Sequence, residues 1–107
     1  MGTSTAFHLA EAGVSVLLVE KNELASGSTS KAAGGVRANF SDELNVAMGA
    51  RSLNLLADFG TRPGQEIDLH RPGYMFALTK PEDVALFERS TQIHHQFNVR
   101  SEMLTAA

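Results

Sequence analysis

Residues 1–20, MGTSTAFHLAEAGVSVLLVE, decide how this chain is read. Between Thr3 and Ala12 the apolar residues Ala6, Phe7, Leu9 and Ala10 recur at helical spacing. Gly13 follows as a residue that can turn left-handed and stop the helix. The next run, VSVLLV, is rich in β-branched residues and apolar almost without interruption, as expected of a parallel strand covered on both faces. Helix, glycine and buried strand in succession form the second half of a βαβ crossover. A strand and a glycine-rich turn normally precede that half, and Met1 stands where such a turn would be finishing. The missing first strand and first two glycines are therefore expected upstream of Met1.

Composition narrows the class. The chain has 107 residues, whereas a nucleotide-dependent enzyme usually needs two domains of that size or larger, so the length argues for part of a larger machine. Its net charge of -3 and the lack of any basic cluster argue against a nucleic-acid partner. Cysteine is absent, which excludes disulfides and thiol chemistry within the chain. No apolar run approaches the roughly 20 residues that span a bilayer, and the start lacks a basic region and cleavage site, so no membrane span or secretory signal is expected. These features place the protein in the cytoplasm, or in the mitochondrial matrix if the cell is eukaryotic.

Beyond the strand, periodicity disappears from Lys21 to Phe40, and ASGSTSKAAGG is dense in small residues. Such a segment is either a flexible surface loop or a backbone that must approach a ligand closely. Ser41 is the expected N-cap of a long helix, with Asp42 and Glu43 in its first turn. Leu44, Met48, Leu55 and Phe59 mark its apolar face, which ends at Gly60. TRPGQE is turn chemistry and looks like a boundary. IDLH and YMFALT then read as two short strands reversing at RPG. Thr79 followed by Glu82 is a capping-box pattern for a helix from about Pro81 to Phe97, facing inward through Val84 and Phe87. SEMLTAA reads as a short final strand.

The chemistry lies in the opening unit. In a dinucleotide-binding βαβ, glycines let the pyrophosphate reach the helix N-terminus and let helix pack on strand, while an acidic residue at the end of the second strand receives the ribose hydroxyls. Gly2 opens the helix and Glu20 ends the strand 18 positions later, close to the spacing this geometry requires. Gly2 therefore fits as the third glycine of the motif.

Three stretches, GTSTAFHLAEAGVSVLLVEKNELASGSTSKAAGGVR, SDELNVAMGARSLNLLADFG and IDLHRPGYMFALTKPEDVALFE, together resemble the FAD-dependent oxidoreductases related to D-amino acid oxidase. The likeness is strongest to the branch of sarcosine oxidase β subunits and dimethylglycine dehydrogenases. The resemblance implies an α/β fold: a partial Rossmann-type FAD-binding domain lacking its first strand over residues 1–61, then the start of an α+β substrate domain over 62–107. It implies FAD as cofactor, a small-molecule amine or amino-acid substrate, and O2 or an electron carrier as acceptor. By position, Glu20, with Lys21 beside it, would bind the ADP ribose, and Gly2 would lie beneath the pyrophosphate. Ser26, Gly27, Ser28 and Thr29 would follow the pyrophosphate and ribityl chain. Lys31, Ala32, Ala33, Gly34 and Gly35 would continue beside the flavin. Some relatives carry a flavin-linked histidine near Lys31; lysine here implies a flavin held non-covalently by this segment. Arg37 matches an arginine that in some relatives lies on the substrate side of the flavin, where it could clamp a carboxylate; its other reading is a surface arginine.

The histidines carry less. His8 reads as a packing or partly exposed residue rather than a base, and His70 stays unassigned. His94 and His95 are adjacent on the last helix, so they point about 100° apart and read as a solvated face. No metal site, nucleophile triad or phosphate-binding loop is expected. The function these features imply is that of a fragment of an enzyme oxidising an amine or amino acid, a secondary or N-methylated one by analogy, by hydride transfer to flavin. The chain alone is expected to be inactive and to bind FAD weakly or not at all. The rival readings are a non-catalytic nucleotide-binding or interaction module and a non-functional fragment.

Overall fold

A computed structural model describes residues 1–105 and separates the chain into two compact units, Met1–Gly34 and Gly35–Ala107. In the first unit, α1 spans Gly2–Glu11. Its stop is as expected: Gly13 sits at φ +80, and its N–H donates to the Ala10 carbonyl. Residues 14–20 have no regular structure, and a 3-10 turn follows at Thr29–Lys31.

The run 14–20 joins no ladder, which corrects the expectation of a formed strand. A strand apolar on both faces needs a neighbour for its backbone N–H and C=O groups as well as cover for its side chains. None of the described residues supplies either, and Leu17 and Val19 are 88% and 78% exposed. The same holds for IDLH and YMFALT. Gly73 turns at φ +86 between them, yet the two runs exchange no backbone hydrogen bonds. Residues 101–105 have no regular structure, and the last two residues of the expected final strand lie outside the described residues. No strand is therefore assigned among the described residues.

The second unit is built on two helices, α2 at Glu43–Ala57 and α3 at Pro81–Gln96, which pack on each other. Asp42, not Ser41, caps α2: its carboxylate accepts from the Asn45 backbone N–H at 3.0 Å and from the Asn45 side-chain amide at 2.8 Å. The helix ends at Ala57, and the chain then winds through turns in which Thr61 and Arg62 donate to the Asp58 carbonyl and Gly64 and Gln65 to that of Phe59.

The buried face of α2 also differs from the expected one. Leu44, Met48 and Leu55 are exposed, whereas Val46 and Gly49 are buried and Leu53 and Leu56 half-buried. Gly49 sets this rotation. A Cβ there would stand 2.8 Å from both the Arg37 carbonyl oxygen and the Ala38 Cα, so the helix approaches that backbone at its smallest residue.

Lys80 caps α3 with no side-chain bond, in place of the expected Thr79 box. Proline at the first helical position has its φ already set for helix, which starts α3 at Pro81 and moves the cap one residue past Thr79. Phe87 faces inward against Phe76, with ring centroids 5.1 Å apart, while Val84 is exposed.

Candidate functional site

In the first unit the helix start and the acidic run end are both in place. Met1 caps α1 without a side-chain hydrogen bond, leaving the first-turn amides for another acceptor. A Cβ on Gly2 would meet Leu18 Cδ1 at 3.6 Å, so the helix start lies against the side chain of Leu18 in the run that leads to Glu20. The Glu20 carboxylate is exposed and accepts from the Asn22 backbone N–H at 2.9 Å, a turn that holds it at the end of the run. Lys21 beside it is exposed.

The segment from Ser26 to Gly34 is exposed throughout. The hydroxyls of Ser26, Ser28 and Thr29 make no hydrogen bond among the described residues, whereas that of Ser30 donates to the Gly27 carbonyl at 3.1 Å. Lys31 ends the 3-10 turn, Ala32 continues in extended conformation, and Gly34 turns at φ +76. A Cβ on Gly27, Gly34 or Gly35 would meet nothing within 4 Å. Uncapped helix amides, an exposed carboxylate and a row of free hydroxyls match the phosphates, ribose diol and polyol chain of FAD, so the donor set fits that group.

Arg37, in the second unit, has a more defined setting. Its guanidinium carbon lies over the Phe40 ring at 5.1 Å from the centroid and over the Tyr74 ring at 6.0 Å. No carboxylate among the described residues pairs with it. Phe40 is held in turn by His94, which is 6% exposed, contrary to its reading as part of a solvated face. His94 Nε2 lies 2.7 Å from the Phe40 carbonyl oxygen, and Nδ1 lies 2.9 Å from Ser101 Oγ. A carbonyl only accepts, so Nε2 carries a proton, while the Ser101 hydroxyl, which can donate or accept, pairs with Nδ1. His95 is exposed and bonds the Ser101 backbone carbonyl at 2.8 Å.

Sequence alone gives Phe40 and Tyr74 no role and reads His94 as a solvated position. The spacing of Arg37 and Phe40 was visible, but Tyr74 and the partners of His94 are reached only through the fold. The other histidines sit beside carboxylates on the surface, His8 Nδ1 at 3.7 Å from Glu11 and His70 Nε2 at 3.2 Å from Asp68. An open groove at the C-terminal ends of α2 and α3, lined in part by Arg51, Asn54, Asp58 and Gln96, includes none of the candidate cofactor- or substrate-binding residues expected from sequence. No helix among the described residues is long and apolar enough to cross a membrane.

A family model described as FAD dependent oxidoreductase matches residues 1–107. The chain is 38% identical over 90 residues to the mitochondrial dimethylglycine dehydrogenase of Rattus norvegicus, and 37% identical to that of Homo sapiens. Each match covers 82% of this chain and 10% of the relative. It is 30% identical over 111 residues to the FAD-dependent oxidoreductase domain-containing protein 1 homolog of Drosophila melanogaster, covering 99% of this chain and 22% of that protein. No solved structure matches significantly.

Proposed function

The chain belongs to the FAD dependent oxidoreductase family of the D-amino acid oxidase type, and from that premise we propose that it forms part of an enzyme that oxidises a secondary or N-methylated amino acid. The observation that carries this reading is the 38% identity to a dimethylglycine dehydrogenase across 82% of the chain. The family is FAD-dependent, and the chemistry FAD supplies when bound is acceptance of a hydride from the carbon next to nitrogen, with O2 or an electron carrier as final acceptor.

The protein's own residues bind and orient. Glu20, with Lys21 beside it, takes the ribose, and the first-turn amides at Gly2 take the pyrophosphate. Ser26, Gly27, Ser28 and Thr29 line the phosphate and polyol path, and residues 31–35 pass beside the flavin ring. Arg37 takes the substrate carboxylate. Residues 1–61 belong to the FAD-binding domain and 62–107 to the substrate domain, within a Rossmann-type α/β fold. The mammalian relatives are mitochondrial dimethylglycine dehydrogenases, which supports a matrix location if the parent is eukaryotic.

A chimera tests the reading. Replacing the matching segment of the rat dehydrogenase with this chain's residues is expected to leave a protein that retains FAD and oxidises N,N-dimethylglycine. Glu20→Ala in that chimera is expected to weaken FAD retention at least tenfold, about the loss of one charge-assisted hydrogen bond. A chimera that folds but retains no flavin would overturn the assignment.

A further inference from the structure

We infer that Phe40 and Tyr74 are positioning residues that hold the Arg37 guanidinium ready for a small carboxylate ligand, an inference that rests on the amino-acid substrate proposed above. Three independent fixtures converge on an arginine whose side chain is exposed and has no carboxylate partner among the described residues. Its backbone is seated on α2, where Gly49 leaves no room for a side chain against Arg37 and Ala38, and Ala38 is 4% exposed. The Phe40 backbone is tied to α3 through buried His94. The guanidinium itself lies over two aromatic faces.

Tyr74 is anchored as well. Its ring centroid is 5.0 Å from that of Phe76, which in turn meets Phe87 on α3 at 5.1 Å. Aromatic rings attract a cation through their faces, and a guanidinium can stack its flat side on them, an arrangement that leaves its N–H edge for another partner. That edge presents paired donors in a fixed fork, the geometry that takes a carboxylate in bidentate fashion. A surface arginine with no ligand to meet has no use for such restraint. Holding the side chain beforehand lowers the ordering cost of binding, so ring loss weakens affinity without removing the charge.

The test follows the Arg37 Nε–Hε resonance of the 15N-labelled chain by NMR while N,N-dimethylglycine is added. Dimethylamine, which lacks the carboxylate, and inorganic phosphate serve as comparators. Arg37→Gln assigns the resonance and abolishes the response. The expected result is a saturable shift with dimethylglycine and none with dimethylamine. Tyr74→Leu is expected to weaken it about tenfold and Tyr74→Phe to leave it within about twofold, since the ring face supplies the interaction. Phe40→Leu, read beside the α2 and α3 amide spectrum that reports folding, repeats the test at the second ring. Unchanged titration in both leucine variants overturns the positioning role while leaving Arg37 as the carboxylate contact. An equal or stronger response to phosphate, or no saturable response in the parent sequence, overturns the carboxylate assignment. Flavin retention by the chimera reads the proposed function separately from all these outcomes.

Discussion

At the scale of single residues, two side chains hold the second unit at its seams. Asp42 caps α2, and the hydrogen bonds from the Asn45 side chain and then from its backbone hold the Asp42 carboxyl below its ordinary value of 3.8. A folded-state value below the unfolded one favours folding at all pH above the ordinary value, and the contribution is lost as pH falls through the lowered folded value. The stability of α2 is therefore expected to fall below about pH 4. Asp42→Asn keeps a cap acceptor and should flatten that dependence without lowering helix content at neutral pH, whereas Asp42→Ala should lower it at both, as circular dichroism would read. His94 is the second. His94→Ala leaves the half-buried Phe40 carbonyl and Ser101 hydroxyl without their partner, for a loss of about 1 kcal/mol in denaturant unfolding. His94→Gln, which can donate to one group and accept from the other, should recover part of it. The role of His94 could not be read from sequence because Phe40 lies 54 positions away, and helical position alone gave an exposed face.

Elements divide by whether their hydrogen bonds are local. All three α-helices were legible within a residue or two, since periodicity, caps and glycine stops lie along a single stretch of chain. The apolar runs read as strands form no strand among the described residues, because a ladder depends on a partner that no local pattern names. Which face of α2 turns inward was misjudged for a related reason. Hydrophobic spacing pointed to Leu44 and Met48, whereas the helix seats itself where Gly49 admits the backbone of Arg37 and Ala38. Gly49→Ala therefore sets two effects against each other. Alanine gains about 1 kcal/mol in helix propensity, but a Cβ 2.8 Å from backbone atoms that cannot swing aside costs about 1–3 kcal/mol or more. The expected net result is a lower thermal midpoint, with Gly49→Val lower still. A raised midpoint would mean that α2 slides away from residues 37–38 at little cost. The candidate site follows the same division: Gly2, Glu20 and the hydroxyl row were visible along the chain, while the rings that clamp Arg37 were not.

For the whole molecule, the two units differ in how much order each has. The second unit contains the buried residues Ala38, Val46, Gly49, Ser90 and His94, whereas no described residue of the first unit is buried. Opening free energy follows burial and protected hydrogen bonds, so slow amide exchange is expected in α2 and α3 and fast exchange through residues 15–34. Glu20 ends a run whose backbone joins no ladder, and a carboxylate on such a support must be ordered before it can take a ribose. FAD added to the 107-residue chain should therefore bind weakly, leaving exchange in residues 15–34 fast and the unfolding midpoint unmoved. Binding at a hundredfold excess over Kd would stabilise the folded chain by about 2.7 kcal/mol, a shift that calorimetry would detect easily. Such a shift, accompanied by new protection at residues 14–20, would show that the cofactor itself orders the run. The apolar surface of Leu17 and Val19 makes a second expectation: concentration-dependent association through this edge, suppressed by Leu17→Lys and measured by analytical ultracentrifugation. If FAD and Leu17→Lys both left association unchanged, contacts elsewhere on the chain would have to drive it.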